Sequence, residues 1–158
     1  MAYLGLDLGK SLGWALWRRG DVVESGVKHF GGEGSTDGLA FYGFRLFLGD
    51  TRKMLERAGE LLEGIIYESV DFIARDNGIY AAHVYGAMWG NLESWCEQRA
   101  IPRKGINVAT IKKHVTGHGS AAKPLVTKRI KLLFPHVREH NEADAVAALI
   151  TARNKFGK

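Results

Sequence analysis

At 158 residues the chain is long enough to enclose one apolar core, so a single domain over residues 1–158 is expected. Hydrophobic residues make up 46% and charged residues 25%, which excludes a disordered, highly charged polypeptide. No run approaches the roughly 20 apolar residues a bilayer span requires, and the opening segment meets an acid at Asp7 with no basic residue before it, unlike a signal peptide. No membrane partner is expected. The one cysteine, Cys96, excludes an internal disulfide framework and a cysteine-based zinc cage. It reads as a buried small hydrophobe in a reducing, cytoplasmic setting.

The net charge of +5 is unevenly distributed. Residues 98–138 hold ten Lys and Arg (Arg99, Arg103, Lys104, Lys112, Lys113, Lys123, Lys128, Arg129, Lys131, Arg138) and no Asp or Glu. The rest of the chain is therefore net acidic. Segregation of this kind is the footprint of a polyanionic partner, because each neutralised phosphate releases counterions.

In chain order, residues 3–8, 13–18 and 22–29 read as three β-rich runs separated by short turns, which suggests an antiparallel meander. After a glycine-rich loop, Thr36 or Asp37 offers an N-cap, and Phe44, Leu48, Leu55, Ala58 and Leu62 recur at helical spacing. Residues 65–68 form a buried fourth strand that ends in Glu68. Residues 78–98 read as a helix, residues 104–108 as a fifth strand, and residues 110–115 and 123–134 as two basic helices. The second of these carries Pro124 in its first turn and stops at Pro135. A last helix over residues 142–154 sets Val146, Leu149 and Ile150 against the core. Three hairpin-joined strands followed by βα units imply an α/β fold with a five-stranded mixed sheet and helices on both faces.

Three acids interrupt otherwise apolar surroundings: Asp7 in the first strand, Glu68 at the end of the fourth, and Asp144 in the first turn of the last helix. Unpaired charge is costly in such places. Two carboxylates on adjacent strands would raise each other's pKa unless a cation neutralised them, and a hard divalent ion with oxygen ligands does so. Singly, each acid has a structural explanation: shaping a turn, pairing with an Arg, or complementing a helix N-terminus.

Gly5-Leu6-Asp7-Leu8-Gly9 with Leu12-Gly13-Trp14-Ala15 resembles the opening of RuvC-type Holliday junction resolvases of the RNase H-like superfamily. Residues 65–68 resemble their second acidic strand. Residues 111–123, running from Ile111 through Gly117-His118-Gly119 to Lys123, are similar to the family's basic helix, Gly-x-Gly turn and second lysine. Asn141-Glu142-Ala143-Asp144-Ala145 resembles the closing acidic helix in the form seen among phage-encoded members, so a prokaryotic or phage-infected cell is the implied setting.

The resemblance implies an RNase H-like fold, a homodimer, Mg²⁺ or Mn²⁺ with two ions per active site, and paired nicks across a DNA four-way junction. Asp7, Glu68 and Asp144 match metal-binding, catalytic acids. Lys112 or Lys113, together with Lys123, match DNA contacts near the scissile phosphate. The fourth metal position is open. The residue at i−3 of Asp144 is Asn141, at i−4 His140, and at i−2 Glu142; His140 is favoured slightly, as a ligand or as a proton donor. Lys128 and Arg129 extend the DNA-binding set. Phe72, with Tyr80 as a second candidate, is placed to stack on an unpaired base. Ile79, Gly86, Gly90 and Leu92 would let two copies of the long helix approach closely. An RNase acting on RNA or hybrids, and a catalytically weak junction-binding protein, are the competing readings.

Overall fold

Apolar alternation along the N-terminal third builds the centre of the molecule. The computed structural model describes residues 1–70 and 78–156. In it β1 (Ala2–Asp7), β2 (Ser11–Arg18) and β3 (Val22–His29) form an antiparallel meander. β4 (Leu62–Ser69) then pairs parallel to β1, and β5 (Arg103–Asn107) pairs parallel to β4. The sheet order is β3-β2-β1-β4-β5, which puts the strand carrying Asp7 in the middle.

Helices cover both faces. Leu4, Leu6, Leu12, Leu16, Ile65 and Tyr67 pack beneath α1 (Asp37–Arg57) and α2 (Gly78–Glu97). On the other face Ala15, Ile66 and Ile106 meet α3 (Val108–Thr116), α4 (Lys123–Leu133) and α5 (His140–Phe156). No helix among the described residues is long and apolar enough to cross a membrane. Cys96 is fully buried, and burial pushes its thiol up to about 11, so it is inert packing.

The local signals act as their chemistry requires. Thr36 caps α1 by accepting from the Leu39 N–H. Pro124 lies in the first turn of α4, where its missing N–H costs nothing. Gly117 closes α3 at φ +86°, a left-handed cap natural to glycine.

Two expectations are corrected. Leu62, in phase with the α1 apolar stripe, opens β4 instead: the helix stops at Arg57, and Gly59 at φ +70° turns the chain into the strand. Leu92 does not face outward from α2. It stands one turn after Met88 on the stripe that covers the sheet, and it is wholly buried in this chain's own core.

Candidate metal centre

Strand alternation decides which face each acid occupies. Leu4 and Leu6 point to the α1/α2 side, so Gly5 and Asp7 point to the α5 side. On β4, Ile66 faces α5 and Glu68 follows two residues later. The register pairs Gly5 with Ile66 and Leu6 with Tyr67, so Asp7 and Glu68 end neighbouring strands side by side.

α5 supplies the third acid, and it can do so only because β1 and β2 are bare where it crosses. A Cβ on Gly13 would lie 1.8 Å from the Asn141 carbonyl oxygen. A Cβ on Gly5 would lie 2.6 Å from the Ala145 oxygen and 2.8 Å from the Leu149 Cβ. α5 answers with its own small residues, Ala143, Ala145, Ala147 and Ala148, all buried. Backbone therefore rests on backbone, and Asp144, one turn into α5, comes down over the strand ends. One carboxylate oxygen each from Asp7, Glu68 and Asp144 lies within 4.8 Å of the others.

Basic residues border the cluster. Lys123, the first residue of α4, places its Nζ 2.7 Å from Asp144 Oδ2. With Lys112, Val108 and Val126 it lines a 100 Å³ cavity over Glu68 and Asp144. Burial, then the charges of Asp144 and Glu68, push the Asp7 carboxyl up to about 8, against a partial offset from Lys123. Burial and the Asp144 charge also raise Glu68, while Lys123 and Lys112 pull it down. Burial alone would lower Lys123, but its hydrogen bond to Asp144 and the charges of all three acids leave it raised.

Three crowded carboxylates, one held up to about 8 by burial and then by its acidic neighbours, form an oxygen-only donor set deficient in positive charge. A hard divalent cation fits that set, and a soft metal does not.

The structure separates the remaining site candidates. Of the two α3 lysines, Lys112 reaches the cavity over the acids, whereas Lys113 is exposed and outside its lining, as is Arg129 on α4. Lys128 and His140 line a groove beside α4. Asn141 is half-buried, with its carbonyl against Gly13. Phe72 lies outside the described residues. Tyr80 is exposed, and its hydroxyl accepts from Lys10 Nζ at 2.7 Å and donates to Asp37 at 2.8 Å.

Glu142, one of the residues open for the fourth position, is turned to structural use. Its Oε1 accepts from Ser25 Oγ at 2.7 Å, and its Oε2 accepts from the backbone N–H of Arg138 at 2.9 Å and of Glu139 at 3.4 Å. His136 Nε2 stands 2.9 Å from the same Ser25 hydroxyl. This anchorage of α5 to β3 joins residues more than 100 positions apart, and no local motif announces it. The nearest signal in the sequence is a capping-box Glu at the third helical position, preceded by Glu139 where a Ser or Thr would mark the box.

The fold and the acid cluster together define the class as an RNase H-like α/β fold. The Thermus thermophilus RuvC structure matches with a TM-score of 0.72 at 18% identity, covering 99% of this chain and 97% of that one. T. thermophilus RuvC in complex with a Holliday junction substrate matches at 0.74 and 19%, covering 96% and 92%. The yeast mitochondrial Holliday junction resolvase Ydc2 matches at 0.58 and 9%, covering 94% and 77%. No protein-family model matches the chain. No curated protein matches it.

Proposed function

We propose that this chain is a structure-selective endodeoxyribonuclease that makes paired nicks in four-way or similarly branched DNA. It would use Mg²⁺ or Mn²⁺, two ions per site, held by Asp7, Glu68 and Asp144. The observation that carries the reading is the convergence of those three acids within 4.8 Å beside Lys123, on a fold shared with structures of junction resolvases.

When bound, the cations would polarise the phosphodiester and make water a better nucleophile. The chain's own groups do the rest. Lys123 and Lys112 bring positive charge to the rim where the scissile phosphate would approach, and Lys113, Lys128 and Arg129 extend that field along α3 and α4. Asn141, three residues before Asp144, is a candidate to complete the ligand set. His140, exposed at the start of α5, is the candidate proton donor to the leaving oxygen.

Paired nicks need two active sites, so a homodimer belongs to the reading. The outer face of α2 supports it: Ile79 is 76% and Trp89 44% exposed, and the space above Gly86 and Gly90 is open. Gly86→Arg should shift the sedimenting species from dimer to monomer.

The decisive experiment is a cleavage panel of four-way junction, flap, linear duplex and RNA–DNA hybrid, with Mg²⁺ or Mn²⁺, for wild type and Asp144→Asn. Symmetric junction nicks by wild type alone are expected. Preferential hybrid cleavage would favour an RNase, and junction binding without any cleavage would favour a purely architectural protein.

A further inference from the structure

The acids occupy one end of a longer basic feature. Beside Lys123 a groove of 720 Å³ runs along α4, lined by Lys123, Pro124, Thr127, Lys128, Lys131 and Leu132 and closed by His140 of α5. The lining follows helix geometry. Lys123, Thr127 and Lys131 form one i, i+4 row, and Pro124, Lys128 and Leu132 form the row beside it. Cationic and hydroxyl groups thus alternate along a floor that ends in Leu132, which is 71% exposed.

We propose that this groove seats the sugar–phosphate backbone of the cleaved DNA strand on one side of the cut. The proposal rests on the nuclease reading above and gives the substrate strand a direction. Five features of the groove select this occupant.

The lining holds three lysines and no acid, and all of it but His140 lies in the 41-residue stretch of residues 98–138 that has no acid at all. Such a surface fits a polyanion and repels a basic partner. Lys128 and Lys131 form no ion pair among the described residues, so their charge is free for phosphates. Lys123 belongs both to this groove and to the acid cluster, so a strand lying in the groove is delivered to the metal centre without a gap. Lys123 and Lys131 are eight residues apart, roughly 12 Å along the helix axis. That is the reach of about two to three phosphates along one strand. Leu132 and Pro124 offer apolar surface to deoxyribose between the phosphates, a use for an otherwise solvent-facing leucine.

The test measures junction binding against salt concentration in the Asp7→Asn background with Mg²⁺, where the nuclease reading expects binding without cutting. It compares that protein with versions carrying Lys131→Ala, Leu132→Ser, or the α1 control Lys53→Ala. Junctions with single neutral methylphosphonates near the cut map the phosphates engaged. Expected is a Lys131→Ala salt slope shallower by about 0.9, as when one phosphate is no longer neutralised. One methylphosphonate within four steps of the cut should weaken the parent but not the Lys131→Ala protein. Leu132→Ser should weaken binding several-fold with the slope unchanged, and Lys53→Ala should change neither. Unchanged slope and affinity for both groove variants, with every methylphosphonate additive, would overturn the groove while leaving the nuclease reading intact. Failure of the parent protein to bind any junction would overturn both.

Discussion

Replacing Asp7 by asparagine keeps the shape of a side chain whose charge the protein tolerates poorly. In the metal-free chain its carboxyl is raised from 3.8 to about 8 by burial and by Asp144 and Glu68. The folded state therefore holds a proton that the unfolded state has lost. Between those two values folding stability falls as pH rises, and the loss is complete above about 8. At about 1.4 kcal/mol per pH unit the full span is on the order of 6 kcal/mol. Asp7 is only partly buried, and water and relaxation reduce the effect to about 2 kcal/mol. In a chain of this length 1 kcal/mol moves the melting temperature by roughly 2–4 °C. Asp7→Asn should accordingly melt about 4–8 °C above wild type at pH 8.5 in chelator, and close to wild type at pH 5, where Asp7 is itself neutral. Adding Mg²⁺ at pH 8.5 should stabilise wild type and leave the variant nearly unmoved, while junction cleavage by the variant is lost. Scanning calorimetry at the two pH values, with and without Mg²⁺, reads all of this. Equal melting temperatures in chelator at pH 8.5 would refute the account of Asp7 as a charge held in waiting for a cation.

Apparent Mg²⁺ affinity should climb by up to about tenfold per pH unit from pH 6 towards 8, as the cation displaces the Asp7 proton, and flatten above that; titration calorimetry measures it. Gly13→Ala drives a methyl into the Asn141 carbonyl, so overpacking should cost about 1–3 kcal/mol and lift Asp144 off the strands. A melting temperature lowered by several degrees together with slower cleavage is expected, and unchanged values would mean that α5 does not depend on the bare strand. Glu142→Gln keeps an acceptor for the Arg138 and Glu139 N–H groups and should retain metal affinity and cleavage. Glu142→Ala leaves Ser25 its His136 contact but strands the Arg138 and Glu139 N–H donors, at about 1–3 kcal/mol. Loss of metal binding in the Gln variant would mark Glu142 as a ligand after all.

The order of strands and helices was legible because alternation and 3.6-residue periodicity are local properties, and so was the position of each acid at the edge of an apolar run. What the pattern could not carry was distance. Leu62 satisfied the helical stripe of α1 and still opened β4, because an apolar residue fits either period and Gly59 decided the boundary. Leu92 shared α2 with exposed Ile79 and Trp89, and only the packed sheet shows which side of that helix is inside. Spacing put Asn141 and His140 on the face of Asp144 and Glu142 off it in a regular helix, with His140 slightly favoured, because helical geometry ranks faces without saying what each face meets. Ser25, 117 residues away, meets Glu142. Gly13 is intelligible only beside a carbonyl from the far end of the chain.

The acids of this one chain provide their own comparison for what the cluster is for. Glu60 is buried and structural: it accepts from the Arg19 backbone N–H at 3.1 Å and from Arg18 Nε at 2.9 Å, and those bonds hold its pKa down. Glu142 is buried and structural too, with both oxygens occupied by donors. Asp7 and Glu68 differ in kind. Neither forms an ion pair among the described residues; both carboxyls are pushed up, and the nearby ammonium of Lys123 is engaged by Asp144. A fold that neutralises its buried acids elsewhere, yet uses two glycines and a run of alanines to press a third acid onto two unpaired ones, has positive charge missing at that point. A divalent cation supplies it, and the basic segment around it supplies the attraction for the phosphates on which that cation would act.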